Sequence, residues 1–178
     1  MRLRSFVHAH GSSTPANRVT ESELLDRVAA SFGIADWPVA AVKSYVGHSL
    51  ASASADQLIS ALGSFKYQLI PGIKTIDAVA DDVHRQHLRI SQVDVPRTEQ
   101  PLEVCFINSK GFGGNNASAL LLAPHVAERM LRKRYGAERF AAYVAAGARI
   151  AESTSEVFTK ADMIVKVKEP QQREWQQL

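Results

Sequence analysis

Apolar positions in the first part of the chain form short runs typical of buried strands, each followed by small and polar residues. The run at 5–9 predicts a strand that ends at the turn HGSSTPAN. The segment at 20–33 predicts a helix, with Thr20 as N-cap, Glu23 in the capping-box position and Gly33 as the stop. A strand followed by a helix is the first unit of an α/β pattern.

The remaining segments continue this alternation. The pattern predicts a strand at 39–43, a turn at 44–52, a helix at 55–67, an irregular segment at 74–100 with an extended piece near 88–95, strands at 102–108 and 118–124 around a glycine turn, and a surface helix at 126–147 that includes Gly136. Because strands and helices alternate, the sequence predicts an α/β layered core.

Composition narrows the function classes. The 178 residues are 46% hydrophobic, enough for one ordinary domain. No apolar run reaches the roughly 18 residues of a membrane span, and the N-terminus is not typical of a signal peptide, so we expect no membrane span and a cytoplasmic location. A net charge of +3 without a long basic tract does not indicate nucleic-acid binding. The single cysteine excludes an internal disulfide or a multi-cysteine metal site.

Four motifs carry a resemblance to a known family. They are HAHGSSTPANRVTESE, AVKSYVGHSLASASADQLI, LIPG and INSKGFGGNNASALLLAP. In this order and spacing they resemble the C-terminal half of β-ketoacyl-acyl-carrier-protein synthases over residues 3–143. The resemblance implies the C-terminal half only of a thiolase-like layered fold, a mixed sheet packed by helices. Residues 144–178 instead resemble a piece of the N-terminal region of alanine dehydrogenases and transhydrogenases, without forming an independent domain.

The resemblance to the synthases implies both a reaction and its catalytic residues. Family members carry out decarboxylative Claisen condensation of acyl and malonyl thioesters in fatty acid or polyketide biosynthesis. By resemblance, His10 and His48 donate hydrogen bonds to the malonyl thioester carbonyl, and Lys43 orients the site. A lone histidine in a turn is more often solvated or structural, and the pairing of the two motifs is what favours catalysis. No cofactor and no metal are implied.

The glycine loop KGFGGNN has a second role by resemblance. Gly111, Gly113 and Gly114 allow positive φ and close backbone approach, and Phe112 would gate the acyl pocket while its amide lines the oxyanion hole. The alternative is a tight turn with a packed phenylalanine. Two departures from the family pattern, Lys110 for a commoner aromatic residue and Asn115 for the usual threonine, leave the acyl-chain preference open.

The sequence places no activated nucleophile in this chain. Cys105 lies in an apolar strand run, which predicts a buried structural thiol, whereas the family's catalytic cysteine belongs to the N-terminal half. We therefore expect the isolated chain to be inactive. The alternatives are a subunit that completes a synthase with a separate N-terminal half, and a non-catalytic module that binds acyl chains or the carrier protein.

Partners and the C-terminal segment complete the sequence predictions. Expected partners are acyl carrier protein with its acyl and malonyl thioesters, and either the missing N-terminal half or a second copy of the chain. In the dehydrogenase relatives a lysine of VKVKEP contacts the substrate. The resemblance indicates Lys168 as the corresponding residue, with Lys166 as the alternative. No glycine fingerprint for a dinucleotide follows, so a surface lysine is the favoured interpretation. The basic stretch ERMLRKRYGAER could contact an acidic carrier protein, but its interleaved charges favour a solvated face.

Overall fold

A computed structural model describes residues 4–12 and 14–146. The chain divides into two compact units, Met1–Met130 and Leu131–Leu178. Within the residues described, no helix is long and apolar enough to cross a membrane.

The first unit is built on a mixed sheet with the strand order β4-β2-β1-β6-β7. The strands in the described part of the chain are β1 (Ser5–His8), β2 (Trp37–Ala40), β3 (Leu69–Ile70), β4 (Leu88–Ile90), β5 (Val95–Pro96), β6 (Val104–Gly111) and β7 (Asn115–Leu122). Strand β1 pairs in parallel with β2 and with β6, β2 pairs in parallel with β4, and β7 returns antiparallel to β6. The short strands β3 and β5 form a separate antiparallel pair. The predicted hairpin around the glycine turn is confirmed.

Helices cover both faces of the sheet. The helices are α1 (Pro15–Ser31), α2 (Lys43–Val46), α3 (Ala53–Tyr67), α4 (Pro124–Tyr135) and α5 (Ala137–Ala146). Successive side chains of β1 point to opposite faces, so Val7 packs in the cluster that includes Leu25 of α1, while Phe6 packs edge-on against Phe65 of α3 with ring centroids 6.1 Å apart. Full burial of a side chain such as Phe6 contributes about 1.5–3 kcal/mol. The middle strand is therefore fixed by two apolar clusters.

Helix α1 begins five residues before the predicted start. Thr14 is its extended N-cap residue and Pro15 its first helical residue, because the fixed φ of proline is already helical and its missing N–H needs no partner there. Thr20 lies inside the helix and donates its hydroxyl to the carbonyl of Ala16, so its prediction as N-cap was wrong. Gly33, with φ of +61°, follows the helix end as predicted.

Two further boundaries differ from the sequence prediction. Strand β2 ends at Ala40, and Lys43 opens the short helix α2 instead of ending a strand. Gly136, with φ of +82°, separates α4 from α5, because a residue in the left-handed region ends an α-helix. The predicted helix at 126–147 is therefore two helices over its described part.

Candidate active site

Three of the predicted site elements follow parallel strands that lie side by side. His10 follows β1 by two residues, Lys43 follows β2 by three, and the glycine loop Phe112–Gly114 follows the end of β6. Strands β2, β1 and β6 are neighbours and run in the same direction. Their carboxyl ends therefore meet at one edge of the sheet, which brings residues far apart in sequence together.

The two predicted catalytic histidines are in contact. The imidazole centroids of His10 and His48 lie 5.1 Å apart with an angle of 76° between the rings. The side chain of His10 is buried, whereas that of His48 is exposed. The prediction that the two turns bring these imidazoles together is confirmed.

Backbone donors fix the tautomer of each ring. The N–H of Lys110 donates to Nδ1 of His10 at 3.2 Å, and the N–H of Leu50 donates to Nδ1 of His48 at 3.0 Å. A backbone N–H can only donate, so each Nδ1 is an acceptor and the ring proton of the neutral imidazole lies on Nε2. Each histidine is therefore held as an Nε2–H donor.

Lys43 completes the support of His10. Its Nζ atom donates to the carbonyl oxygen of His10 at 2.5 Å and lies 3.3 Å from Nδ1 of the same residue. Burial lowers the pKa of Lys43. Burial, and next the positive charge of Lys43, lower the pKa of His10 below its usual range, which keeps the ring neutral.

Glu21, which was not among the predicted site residues, holds the His10 turn in place. Its carboxylate accepts the backbone N–H of His10 at 2.7 Å and that of Gly11 at 3.0 Å. It also accepts side-chain amides from Asn17 at 3.0 Å and from Asn108 on β6 at 2.6 Å. Glu21 is only 4% exposed. The signal in the sequence was a carboxylate one turn before Leu25, on the apolar face of the helix, since buried carboxylates need partners.

The glycine loop contacts the site through its first residues. Lys110, just before the loop, supplies the N–H to His10, and its Nζ atom donates to Thr20 at 3.1 Å. Gly113 and Gly114 have φ of +77° and +80°, as predicted, whereas Gly111 has φ of −119° and needs no glycine for that reason. The side chain of Phe112 lies outside the described part of the structure.

The remaining candidates lie away from this contact. Cys105 is fully buried, and burial raises the pKa of its thiol to about 12, which confirms the prediction of a buried thiol. His8 is also fully buried, with Nε2 at 2.9 Å from the hydroxyl of Ser60, and burial lowers its pKa to about 4. Lys166 and Lys168 lie outside the described residues. Within the described chain, no group of three or more histidine, cysteine or acidic side chains is placed to hold a metal.

The basic residues of α4 do not form one uniform charged surface. Arg129 pairs with Glu103 at 3.7 Å. Arg132 lies over the ring of Phe140 at 4.4 Å, and Arg134 over that of Tyr135 at 5.4 Å. Such contacts are common on solvated helix faces.

Two family models match different parts of the chain. The model described as beta-ketoacyl synthase, C-terminal domain, matches residues 5–77. The model described as alanine dehydrogenase/PNT, N-terminal domain, matches residues 136–178.

Curated relatives and solved structures extend the first match. The chain is 74% identical over 144 residues to β-ketoacyl-(acyl-carrier-protein) synthase FabY of Pseudomonas aeruginosa, which covers 81% of this chain and 23% of the relative. It is 32% identical over 116 residues to 3-oxoacyl-(acyl-carrier-protein) synthase 2 of Vibrio cholerae, covering 65% of this chain and 27% of that protein. The chain thus spans about a quarter of the length of these relatives.

Among solved structures, the crystal structure of the ketosynthase FabY from P. aeruginosa superimposes with a TM-score of 0.75 at 73% identity, over 81% of this chain and 23% of that one. An oxazolomycin ketosynthase domain of Streptomyces albus gives a TM-score of 0.57 at 25% identity, over 67% of this chain and 22% of that one. These neighbours confirm the predicted thiolase-like mixed sheet packed by helices.

Proposed function

We propose that the chain supplies the enolate-stabilising side of a decarboxylative condensation, because residues 5–77 match the family model described as beta-ketoacyl synthase, C-terminal domain. The substrates are acyl and malonyl thioesters of acyl carrier protein. His10 and His48 act as the catalytic donors, and Lys43 positions His10. The observation that carries the proposal is the contact between two imidazoles whose Nδ1 atoms both accept backbone N–H groups.

The chemistry requires donors at one oxygen atom. When the carboxylate of a malonyl thioester leaves as CO2, its electron pair remains as an enolate, and negative charge develops on the thioester carbonyl oxygen. Two Nε2–H groups fixed beforehand stabilise that charge without reorganising, and one donor of this kind is worth about 2.7–4 kcal/mol in known oxyanion holes. A neutral ring is required for this geometry, which the lowered pKa of His10 supports.

The glycine loop serves the other thioester. Gly111, Gly113 and Gly114 leave the backbone of the loop accessible, and the amide of Phe112 donates to the oxyanion that forms when the acyl thioester is attacked. Support for this role comes from Lys110, whose backbone N–H joins the start of the loop to His10. The loop and the histidine pair therefore act as one unit.

The acyl group has to be held by a thiolate that lies outside these 178 residues. Cys105 is the one cysteine of the sequence, and a buried thiol with a pKa of about 12 is not a nucleophile at neutral pH. Exposed apolar side chains on α3, at Leu58, Ile59 and Leu62, are suited to a protein partner. We propose that a polypeptide carrying the N-terminal half of a synthase, or a second copy of the chain, covers this face.

Malonyl decarboxylation tests the proposal directly, because it needs only the enolate-stabilising side. With a malonyl thioester of acyl carrier protein, we expect slow CO2 release that falls about 100-fold or more in His10→Ala and in His48→Ala. His125→Ala, an exposed histidine on α4, is the matched control and should release CO2 like the parent chain. Equal rates in all four proteins would refute the assignment.

Condensation provides the second measurement. The chain alone should form no β-ketoacyl product from acyl and malonyl thioesters. Adding the portion of P. aeruginosa FabY that this chain does not cover should restore product formation, and the His10→Ala chain should fail to do so. Product formed by the chain alone and lost in Cys105→Ser would show that the nucleophile was misassigned.

The C-terminal segment is proposed to have a separate origin. Residues 1–143 form the partial synthase domain, and residues 144–178 are a fragment of the alanine dehydrogenase type. Support comes from the second family model, which begins at residue 136, near this junction. Removal of residues 144–178 should leave malonyl decarboxylation unchanged, and a loss would show that the segment contributes to the synthase fold.

A further inference from the structure

The backbone pairing between β1 and β6 ends just before the histidine pair. The last paired residues are His8 and Ile107. Backbone N–H groups alternate in direction along a strand, and that of Ala9 donates to β2 at 2.9 Å, so that of His10 is directed towards β6. The carboxylate of Glu21 accepts it there. Beyond this point the two strand ends that carry the site are therefore held by side chains.

A single amide from the other face of the sheet completes this connection. The Nε2 atom of Gln57, on α3, donates to the carbonyl oxygen of Ala9 at 2.7 Å and to that of Asn108 on β6 at 3.0 Å. It also lies 3.2 Å from the carbonyl oxygen of His8. Gln57 is 0% exposed. One buried side chain of α3 thus joins the carboxyl end of β1 to β6.

The orientation of this amide follows from its surroundings. A carbonyl oxygen only accepts hydrogen bonds, so the nitrogen of the amide, and not its oxygen, has to face the three carbonyl groups. The Oε1 atom of Gln57 is buried and accepts no hydrogen bond from any residue that the structure describes. Within that part of the chain, the bridge between the two strands is therefore the whole polar role of Gln57.

The bridge lies on both sides of the hydrogen bond that orients His10. Ala9 directly precedes His10, and Asn108 lies two residues before Lys110, whose backbone N–H donates to Nδ1 of His10. If β1 and β6 moved apart here, this bond would be lost, and Nδ1 would be free to carry the ring proton. The proton would then be absent from Nε2, where the proposed reaction needs it.

We propose that Gln57 is a positioning residue for His10, because its amide holds the ends of β1 and β6 at the spacing that keeps the imidazole in its Nε2–H form. Gln57 acts through the backbone of Ala9 and Asn108 and not through the ring itself. The inference rests on the proposed role of His10 in enolate stabilisation, but the ring tautomer can be measured without any reaction.

Gln57→Met tests the proposal, since it keeps an unbranched side chain of similar size and removes the donor. The two neutral tautomers of His10 are quantified by NMR from the ring nitrogen resonances. The Nδ1–H form should increase roughly twofold to tenfold over the parent chain, which is the range for the loss of one net hydrogen bond. The kcat of malonyl decarboxylation should fall about tenfold with little change in KM, because the donor acts mainly in the transition state.

Gln68→Met is the matched control at the opposite end of α3. The side-chain amide of Gln68 donates to the carbonyl of Phe65 and accepts the backbone N–H of Leu102, both at 2.7 Å. This variant also loses buried hydrogen bonds, yet it should leave the His10 tautomers and the decarboxylation rate unchanged. Equal changes in the two variants would show that Gln57 only stabilises the fold, and would overturn the proposal.

The parent chain supplies a measurement that does not require the variant to fold. Scalar couplings across hydrogen bonds should connect the side-chain nitrogen of Gln57 with the carbonyl carbons of Ala9 and Asn108, and the absence of both couplings would overturn the bridge. Near-ultraviolet circular dichroism shows whether each variant is folded. Unchanged tautomers in folded Gln57→Met would refute the positioning role. Changed tautomers in a chain that releases no CO2 would support that role and refute the proposed reaction.

Discussion

The Nζ atom of Lys43 lies 3.3 Å from Nδ1 of His10 and donates to the carbonyl oxygen of the same residue. Lys43 therefore acts on both the orientation and the charge of the imidazole. Its positive charge is the second cause of the lowered His10 pKa, after burial.

Replacing Lys43 with methionine should raise the pKa of His10, because the charge that opposes protonation of the ring is removed while burial remains. The measurement is an NMR titration of the His10 ring nitrogens. Lys110→Met is the matched control: Lys110 also lowers the His10 pKa but is the weakest of its causes, so its removal should raise the pKa less. A fall of the His10 pKa in Lys43→Met would contradict this electrostatic role.

Removing the Glu21 carboxylate should destabilise the fold strongly. Glu21→Ala leaves the N–H donors of His10, Gly11, Asn17 and Asn108 without their acceptor, so the free energy of unfolding in urea should drop by about 3–5 kcal/mol. Glu21→Gln keeps one acceptor oxygen and should lose less. Glu23→Ala, at an exposed site two residues away, should stay within about 0.5 kcal/mol of the parent. Equal losses at the two positions would refute the carboxylate's role.

The buried His8 should make stability fall in acid. Its folded pKa of about 4 lies below the unfolded value of 6.5, so between these values the unfolded chain binds a proton that the folded chain does not. The contribution of His8 is therefore complete above pH 6.5, declines as pH falls, and is lost near pH 4, for a total of about 3 kcal/mol. Urea unfolding at a series of pH values measures it. In His8→Asn, the free energy of unfolding should change less with pH between 4 and 6.5. An unchanged pH dependence would mean that groups other than His8 cause the acid sensitivity.

Gly11 should not tolerate a side chain. Its φ of +58° is in the left-handed region, and an added Cβ would lie 3.2 Å from Cβ of Ala41. Gly11→Ala should cost about 1–2 kcal/mol and displace His10, which lowers malonyl decarboxylation as well. Gly63→Ala is the control, because Gly63 is inside α3 with open space around it, and should stabilise the chain by about 0.5–1 kcal/mol. Equal effects of the two substitutions would argue against strain at Gly11.

The Cys105 thiol should be inert in the folded chain. Burial and a pKa of about 12 leave almost no thiolate at neutral pH. Iodoacetamide should therefore label Cys105 only as fast as the chain unfolds, and labelling in urea should be rapid. Fast labelling of the native chain, measured by mass spectrometry, would show that Cys105 is accessible and reactive, and would contradict its exclusion as the nucleophile.

The sequence was sufficient to predict the contact between His10 and His48, because both residues lie in motifs whose order and spacing are specific. The sequence was not sufficient to predict the residue at which α1 begins. The capping-box pattern of Thr20 and Glu23 competes with Thr14 and Pro15, and local propensity alone does not decide between two plausible starts. With the start at Pro15, Glu21 lies in the second turn of α1, where its carboxylate accepts the backbone N–H of His10.

Lys43 shows a different limit of prediction. The run VAAVK is apolar enough to predict a strand as far as Lys43, yet β2 ends at Ala40. The reason is tertiary, because a turn of helix is what lets the Lys43 side chain reach back to His10 on the neighbouring strand end. The partners of Nδ1 in both histidines are backbone groups of Lys110 and Leu50, and no side-chain pattern encodes such partners.

His10 follows the middle strand of five, which carries a parallel neighbour on each side. Central strands usually open only with the whole domain, so their amides exchange with solvent most slowly. The histidine pair is therefore attached to the most cooperative part of the first unit. Heating or mild urea should not loosen it gradually; the pair should keep its arrangement until the sheet is lost in a single transition.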